Sequence, residues 1–506
     1  MRYIKRRADM FIPDFKEVLK LSEKYNVVPI YKEMLADLET PLSAYMKIDN
    51  PQYSFLLESI EGGEKMARYS FLGRDPFKTI AYYEGAVHVN EGGKKSKIKT
   101  KDPLGFMKKE FSSFKAAPAP GLPRFHGGAV GYIGYDVVKL YEKVPHENKK
   151  DDLKWPDMFF MMTDVVLVFD HVYHRIMVVV NIFVNEKEGK TGLEKRYKKA
   201  LATIDSVIKS MKKPLKYTPL KKHTGPQKVK YHTREKEFKR WVAGAVDEIN
   251  NGEAIQTVIS QRFSVNYNGD PLMIYRALRT VNPSPYMHYI RMGNKHIIGA
   301  SPEVMTRMET GSAMVRPIAG TRPRGVDAVE DKANEEELLS DEKERAEHLM
   351  LIDLGRNDVG RIAQPGTVKV EDLMVIERYS HVMHIVSSVT GRVKKGLDAF
   401  DVIKATYPAG TVSGAPKVRA MQMIDAYETS KRGPYSGLVG YVSFSGNLDS
   451  CISIRTLYYD GLQKRAYMQA GAGIVADSKP DTEYKETINK AKAVFSAVKK
   501  ASEMEG

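Results

Sequence analysis

The chain has 506 residues, 42% hydrophobic and 28% charged, with a formal net charge of +16 and one cysteine, Cys451. That is the composition of an ordinary globular protein large enough for two or more domains. The lone cysteine excludes an intramolecular disulfide and a multi-cysteine zinc site, and the longest apolar runs, Met158–Phe169 and Ile176–Val184, are interrupted by Asp164 and Asn181 and too short to span a bilayer.

The basic start, MRYIKRRADMFIPDF, lacks an apolar signal core, so a cytoplasmic protein is expected. Lysines cluster at 94–101 and from Lys195 to Lys222 without a nucleic-acid motif and read as solvated surface, so neither a nucleic acid nor a membrane is expected as partner.

Residues 11–24 carry the periodicity of an amphipathic helix. Residues 28–50 read as strand, proline-broken turn and strand, and 54–73 as a hairpin turning at Gly62–Gly63. Short strands continue through 78–101. A helix near 103–114 and a Pro-rich loop at 116–125 precede GGAVGYIGYDVV (127–138), where glycines beside aromatics bring backbone close to backbone. The two apolar runs form a hairpin joined around Asp170–Arg175, and a basic helix follows at about 191–212. Residues 213–229, rich in proline and lysine, read as a linker between 1–212 and 230–506.

Beyond the linker a helix at 233–250 is started by Thr233. A strand follows at 254–265, and a helix at 271–282 ends at NPSP. Strands are expected near 286–291, 296–299, 305–308 and 313–316, then an acidic helix through 334–354 that stops at Gly355. Strands near 367–370 and 381–390, a helix at 398–405, the Gly-rich loop PAGTVSGAPK, a helix at 416–428, strands at 436–445, 451–459 and 466–469, and a terminal helix complete the chain. Strand-rich halves with helices packed on them predict an α+β fold: a large mixed α/β sandwich of antiparallel-rich sheets flanked by helices, the second half being catalytic.

Two acidic stretches stand out, DEKERAEHLMLIDLG (341–355) and DTEYKETINKAKAVF (481–495). Each has two glutamates about one helical turn apart, Glu344 with Glu347 and Glu483 with Glu486, on one helix face. In the last helix Tyr484, Ile488, Ala491, Phe495 and Val498 form the apolar stripe and leave both glutamates outside it. Four carboxylates converging from two helices repel one another without a cation. Hard oxygen ligands suit Mg²⁺, which keeps several waters and takes the rest from substrate oxygens. The plainer reading is a solvated helix face.

PIAGTRPRG (317–325), EHLMLIDLGRNDVGRI (347–362), YSHVMHIVSSVTG (379–391), YPAGTVSGAPKVRAM (407–421), GPYSGLVGY (433–441), CISIRTL (451–457) and QAGAGIVADS (469–478) occur together and in order. Over nearly the whole chain these segments resemble the chorismate-utilising enzymes, and within them the component I (aminase) branch of the anthranilate synthases. The resemblance implies that chorismate, a small dianion, is held by Arg455, Tyr435 and the turns Gly320–Thr321 and Gly471–Ala472–Gly473. It also implies Mg²⁺ at Glu347 and Glu486, with Glu344 and Glu483 supporting. His384 is expected to assist departure of the ring hydroxyl, and Thr411 to hold the ring and its leaving group. Arginine grips a carboxylate with two parallel hydrogen bonds, glycine turns offer N–H groups to an anion, and Mg²⁺ bridges carboxylates. The plain alternatives are a core histidine, a local Thr411 turn bond and ordinary glycine turns.

Relatives that make aminodeoxychorismate carry a lysine in the PI-x-GT motif, where this chain has Ala319. Relatives that add water carry a lysine base at the position aligned with Gln256. Both departures favour the anthranilate-forming branch, with aminodeoxyisochorismate synthase and then aminodeoxychorismate synthase as alternatives. LLES (56–59) and NPSPYM (282–287) resemble the family's tryptophan feedback site, which needs an apolar slot with polar groups at its rim. Ser59, Pro285, Tyr286 and Met287 would line it, with Glu58 and Asn282 nearby and Arg68 as a basic neighbour. Cys451 sits in no Gly-rich elbow of the kind an amidotransferase nucleophile needs. The resemblance therefore implies a separate glutamine amidotransferase subunit (component II) supplying ammonia, in a heterotetramer of two of each chain.

Overall fold

In the strand Tyr53–Glu58, Leu56 packs into one apolar cluster and Phe55 into another, the two-residue alternation of a strand covered on both faces. The same division runs through two antiparallel sheets of a computed structural model that describes residues 10–504 apart from 50–51, 60–67, 146–148, 216–220 and 380–381. Among the described residues each sheet has twelve strands. The first runs through Tyr53–Glu58, Tyr286–Met292, Lys295–Ser301, Thr456–Asp460, Arg465–Ile474 and Gln256–Asn266. The second runs through Val382–Arg392, Ser312–Val315, Val304–Glu309, Leu448–Ile452, Leu438–Ser443, Gly128–Ile133 and Met158–Thr163. Residues on both sides of 213–229 share both sheets, pairing 53–58 with 286–292 and 128–133 with 438–443.

Phe55, Ile290 and Tyr458 of the first sheet meet Val130, Phe159 and Tyr441 of the second in the layer between them. Helices cover the outer faces. Ile204, Leu278 and Val498 pack on the first sheet; Met107, Val359 and Ile403 pack on the second. The architecture is thus the expected α+β sandwich of antiparallel sheets flanked by helices.

Several local expectations are corrected. Residues 28–50 are one strand, Val27–Leu35, and then a helix, Pro41–Ile48. Pro41 opens that helix, where a missing N–H costs nothing, and Thr40 and Ser43 cap each other. The run Met158–Phe169 is two strands, Met158–Thr163 and Val165–Asp170, in different sheets. Asp164 marks the crossing, and its carbonyl accepts from the Asn181 backbone and side chain. The 451–459 strand likewise splits between the sheets, into Leu448–Ile452 and Thr456–Asp460.

The acidic helix breaks at Asp341, which caps Glu342–Ile362 through the Lys343 and Glu344 N–H groups. It runs on past Gly355, where an added Cβ would lie 3.0 Å from Val315 Cγ2. That glycine permits close packing on the sheet and does not end the helix. The helix Glu235–Asn250 has Arg234, not Thr233, at its cap position. The Gly62–Gly63 turn lies outside the described residues; its flanking strands pair antiparallel.

Candidate active site

Two segments pass from one sheet to the other side by side. One joins Lys295–Ser301 to Val304–Glu309, the other Leu448–Ile452 to Thr456–Asp460. They are stitched together: Ala300 N–H donates to the Arg455 carbonyl (3.2 Å) and Ile452 N–H to the Glu303 carbonyl (3.0 Å). Arg455 has φ +52°, a left-handed conformation that costs a non-glycine residue about 1–3 kcal/mol and concentrates at functional sites. The crossings place Glu303 and Arg455 in the wall of a cavity of about 330 Å³.

Further elements complete the wall, among them the strand Ile318–Pro323 through Ile318. The strand Gln256–Asn266 gives Gln256 and Val258, and Arg465–Ile474 gives Gly471 and Gly473. The turn Gly410–Val412 gives Thr411; residues 414–415, just beyond it, dock on Gln256–Thr257 in antiparallel register. The acidic helix gives Glu347, and the terminal helix gives Glu486 and Lys490. Tyr435, also in the wall, is buried. Of the residues expected from sequence, Arg455, Tyr435, Thr411, Gly471, Gly473, Glu347 and Glu486 therefore meet in one cavity.

The cavity's electrostatics turn on two groups. Glu303 is enclosed, and burial lifts its carboxyl to about 8 against the opposing effects of the Thr411 bond and the Lys490 charge. Thr411 Oγ1 donates to Glu303 Oε1 at 2.7 Å. The carboxyl therefore keeps its proton at neutral pH. Arg455 is held by no ion pair among the described residues and donates from Nη1 only to the Lys490 carbonyl, at 3.4 Å. Burial pulls its guanidinium below the ordinary value, opposed by Tyr435 and Glu486. Sequence reasoning missed both Glu303 and Lys490. Lys490 donates to the Gly471 carbonyl (3.0 Å) and pairs with Glu486 (2.5 Å). The one signal for Glu303 was an acidic residue between two apolar strands.

The four glutamates expected to converge, two on the acidic helix and two on the terminal helix, do not form one cluster. Glu347 accepts from Gln256 Nε2 (3.1 Å), and Glu344 accepts from Arg322 Nη1 (3.4 Å). Glu483 is buried on the inner side of its helix, with Thr487 one turn on. Burial, and after it the neighbouring carboxylate, holds Glu344 (beside Glu347) and Glu483 (beside Glu486) above the ordinary value. Among the described residues no three His, Cys, Asp or Glu side chains gather into a metal-sized group.

His384, Gly320 and Thr321 are not in the cavity wall but adjoin it: Ile318, of the strand that carries Gly320 and Thr321, lines it, and the Arg455 charge reaches His384. His384 Nδ1 donates to the Gly320 carbonyl (2.8 Å) and lies 3.0 Å from Thr321 Oγ1. Burial lowers its basicity, which favours the neutral ring with Nε2 as the acceptor. Gly320 needs its φ of +65°, and a Cβ there would lie 2.9 Å from Leu338 and 3.3 Å from Glu344 Oε2. Ala472 faces away from the cavity into the core on the other side of its strand.

Gly471 is a tight approach: a Cβ would lie 2.9 Å from both Tyr435 Oη and Val258 Cγ1 and 3.1 Å from the Ile259 carbonyl. Gly471→Ala is expected to cost about 1–3 kcal/mol by overpacking. By displacing Tyr435 it should also lower kcat; urea titration and steady-state kinetics read the two effects.

A family model described as chorismate binding enzyme matches residues 52–496. The chain is 48% identical over 501 residues to anthranilate synthase component 1 of Aquifex aeolicus, covering 96% of this chain and 98% of that one. It is 46% identical over 505 residues to that of Acetivibrio thermocellus, covering 98% and 100%. The chain belongs to the anthranilate synthase component 1 family of chorismate-binding enzymes. The crystal structure of component I from Streptococcus pneumoniae superposes with a TM-score of 0.74 at 38% identity over 91% of this chain and 98% of that one. The menaquinone-specific isochorismate synthase MenF of Escherichia coli, 17% identical with a TM-score of 0.68 over 96% and 98%, shares the fold.

This component 1 chain has a second cavity between the sheets. Ser59, Pro285, Tyr286 and Met287 line it together with Glu58, with Leu57, Phe71, Val439 and Tyr441 as apolar walls and Cys451 beside them. Asn282 is not in the wall; it caps the helix Pro271–Val281. Nor is Arg68, which is spent on Asp170 through two hydrogen bonds of 3.2 and 3.1 Å. The positive charge comes instead from Arg124 and Arg307, each 3.2 Å from Asp449.

Proposed function

We propose that this chain converts chorismate and ammonia to anthranilate and pyruvate, that a separate glutamine amidotransferase subunit delivers the ammonia within a cytoplasmic heterotetramer, and that tryptophan inhibits the reaction. One observation carries the catalytic reading: Glu303, whose carboxyl burial lifts to about 8, shares a cavity with Arg455, a half-buried guanidinium with no ion pair among the described residues.

Arg455 binds a substrate carboxylate through two parallel hydrogen bonds, and Lys490 adds charge beside it. Gln256 Oε1 is buried without a hydrogen-bond partner among the described residues and accepts an N–H of ammonia. Ammonia adds to the ring; Glu303, steadied by Thr411, gives its proton to the departing hydroxyl, which leaves as water. The extra proton on the new amine returns to the Glu303 carboxylate, and loss of pyruvate with a ring proton yields the aromatic product. His384 Nε2, neutral and unprotonated, serves as a hydrogen-bond acceptor while Glu303 supplies the acid.

Only two of the expected carboxylates, Glu347 and Glu486, line the cavity, so the ion they suit is Mg²⁺ of the kind that completes its shell with water and substrate oxygens. Glu347 and Glu486 would hold the ion, with Glu344 and Glu483 behind them, and it would supply positive charge against a substrate carboxylate.

Cys451 is buried, and burial pushes its thiol far above the range in which a thiolate forms. That supports assigning glutamine hydrolysis to another subunit. The catalytic wall comes from residues after 229, whereas the second cavity is shared: Glu58, Ser59, Phe71 and Arg124 come from before 213, and Pro285, Tyr286, Met287 and Arg307 from after 229. No helix among the described residues is long and apolar enough to cross a membrane.

With ammonium as donor, pyruvate and anthranilate are expected in equal amounts, and with glutamine alone neither. Chorismate consumed without pyruvate would favour the aminodeoxyisochorismate or aminodeoxychorismate alternative. Ser59→Leu fills the second cavity and is expected to raise the tryptophan concentration needed for half-inhibition by about tenfold or more, the loss of roughly 1.4 kcal/mol of binding. Unchanged inhibition would remove that cavity as the tryptophan site.

A further inference from the structure

Arg432 lies behind the catalytic wall, 1% exposed, and all five of its N–H groups are used. Nε donates to Glu428 Oε2 (2.9 Å). Nη1 donates to the Val412 carbonyl (2.8 Å) and to Ser436 Oγ (3.3 Å). Nη2 donates to the Val258 carbonyl and to Glu428 Oε1, both at 2.6 Å. The guanidinium carbon sits 5.5 Å from the centre of the Tyr435 ring. Glu428 Oε1 in turn accepts from the Ser260 N–H (2.8 Å) and hydroxyl (2.7 Å).

Val258, Val412 and Tyr435 all line the cavity. Val412 follows Thr411, whose hydroxyl meets Glu303; Val258 follows Gln256 by two residues; Ser436 follows Tyr435. A single planar group thus ties together the three segments that carry the ammonia acceptor, the partner of the acid and the substrate-facing phenol. Stability does not account for it. A buried Arg–Glu pair regains little more than its desolvation cost, and packed apolar residues do as well. What arginine alone supplies is a rigid fork of five donors.

We propose that Arg432 is a positioning residue for the reaction, fixing the Thr411 turn, the Gln256 strand and Tyr435 in one arrangement around the substrate. The proposal rests on the reading of this cavity as the chorismate site.

Lysine has three donors on one atom, so Arg432→Lys leaves at least two acceptors unmet. With the fold checked by circular dichroism, kcat is expected to fall by about tenfold or more while the chorismate KM changes by less than about threefold, the signature of an interaction that matters in the transition state. Thr411→Val should cost several-fold less in the Arg432→Lys background than in the native chain, because the two act through one turn. A purely structural Arg432 would lower the thermal midpoint, leave kcat of the folded fraction within about twofold, and combine with Thr411→Val multiplicatively; that result overturns the proposal. If Arg432→Lys does not fold, Glu428→Gln, which loosens the same guanidinium, replaces it with the same two outcomes. A native chain that makes no anthranilate would sink the chorismate reading itself, a failure separate from this one.

Discussion

Glu303→Gln is expected to lower kcat by about a hundredfold or more with little change in KM, the loss of a positioned general acid. The native kcat, followed at constant free ammonia, should fall as pH rises above about 8, where the carboxyl loses its proton. The variant should lack that limb. Stability provides an independent check. A carboxyl raised from 4.5 to about 8 on folding gives stability that is fully present below about pH 4.5 and is lost progressively up to about pH 8. Glutamine does not titrate, so in urea titrations the variant should gain on the native chain between pH 5 and pH 8. Retained kcat with an intact alkaline limb would remove Glu303 as the acid.

Arg455→Met is expected to raise the chorismate KM about a hundredfold, roughly 3 kcal/mol, the value of a charge-assisted pair of hydrogen bonds in a buried site. Arg455→Lys should recover only part of this, because an ammonium does not reproduce the fork. The absence of an ion pair at Arg455 among the described residues makes the expectation sharp: the guanidinium has no protein carboxylate to release before it takes one from the substrate. An unchanged KM would place the substrate carboxylate elsewhere in the cavity.

Much of this site was legible in the sequence because its long motifs are local. The turn that carries Thr411, Gly471 beside Tyr435, and Glu347 and Glu486 from two helices meet in one cavity, whereas Glu344 and Glu483 lie outside its wall. What stayed hidden was tertiary. The apolar runs through Asp164 and through 451–459 read as unbroken strands because each half is covered on both faces, and nothing in the alternation says which sheet a residue joins. Yet the crossings are where Glu303 and Arg455 acquire their roles. Glu303 gave almost no local signal, since desolvation by residues far along the chain makes it an acid. Gly355 read as a helix stop because glycine commonly ends helices, but here it admits Val315 and Val389. Arg68 looked like the basic neighbour of the second cavity until Asp170 claimed it, leaving Arg124 and Arg307 in that place.

The most direct test of the catalytic site is anthranilate fluorescence from the purified chain mixed with chorismate, Mg²⁺ and an ammonium salt at mildly alkaline pH. A steady rise that stops when ammonium is withheld, and that is nearly abolished in Glu303→Gln, is the expected result. Chorismate left unconsumed by the native chain under these conditions would contradict the assignment of this cavity as its site.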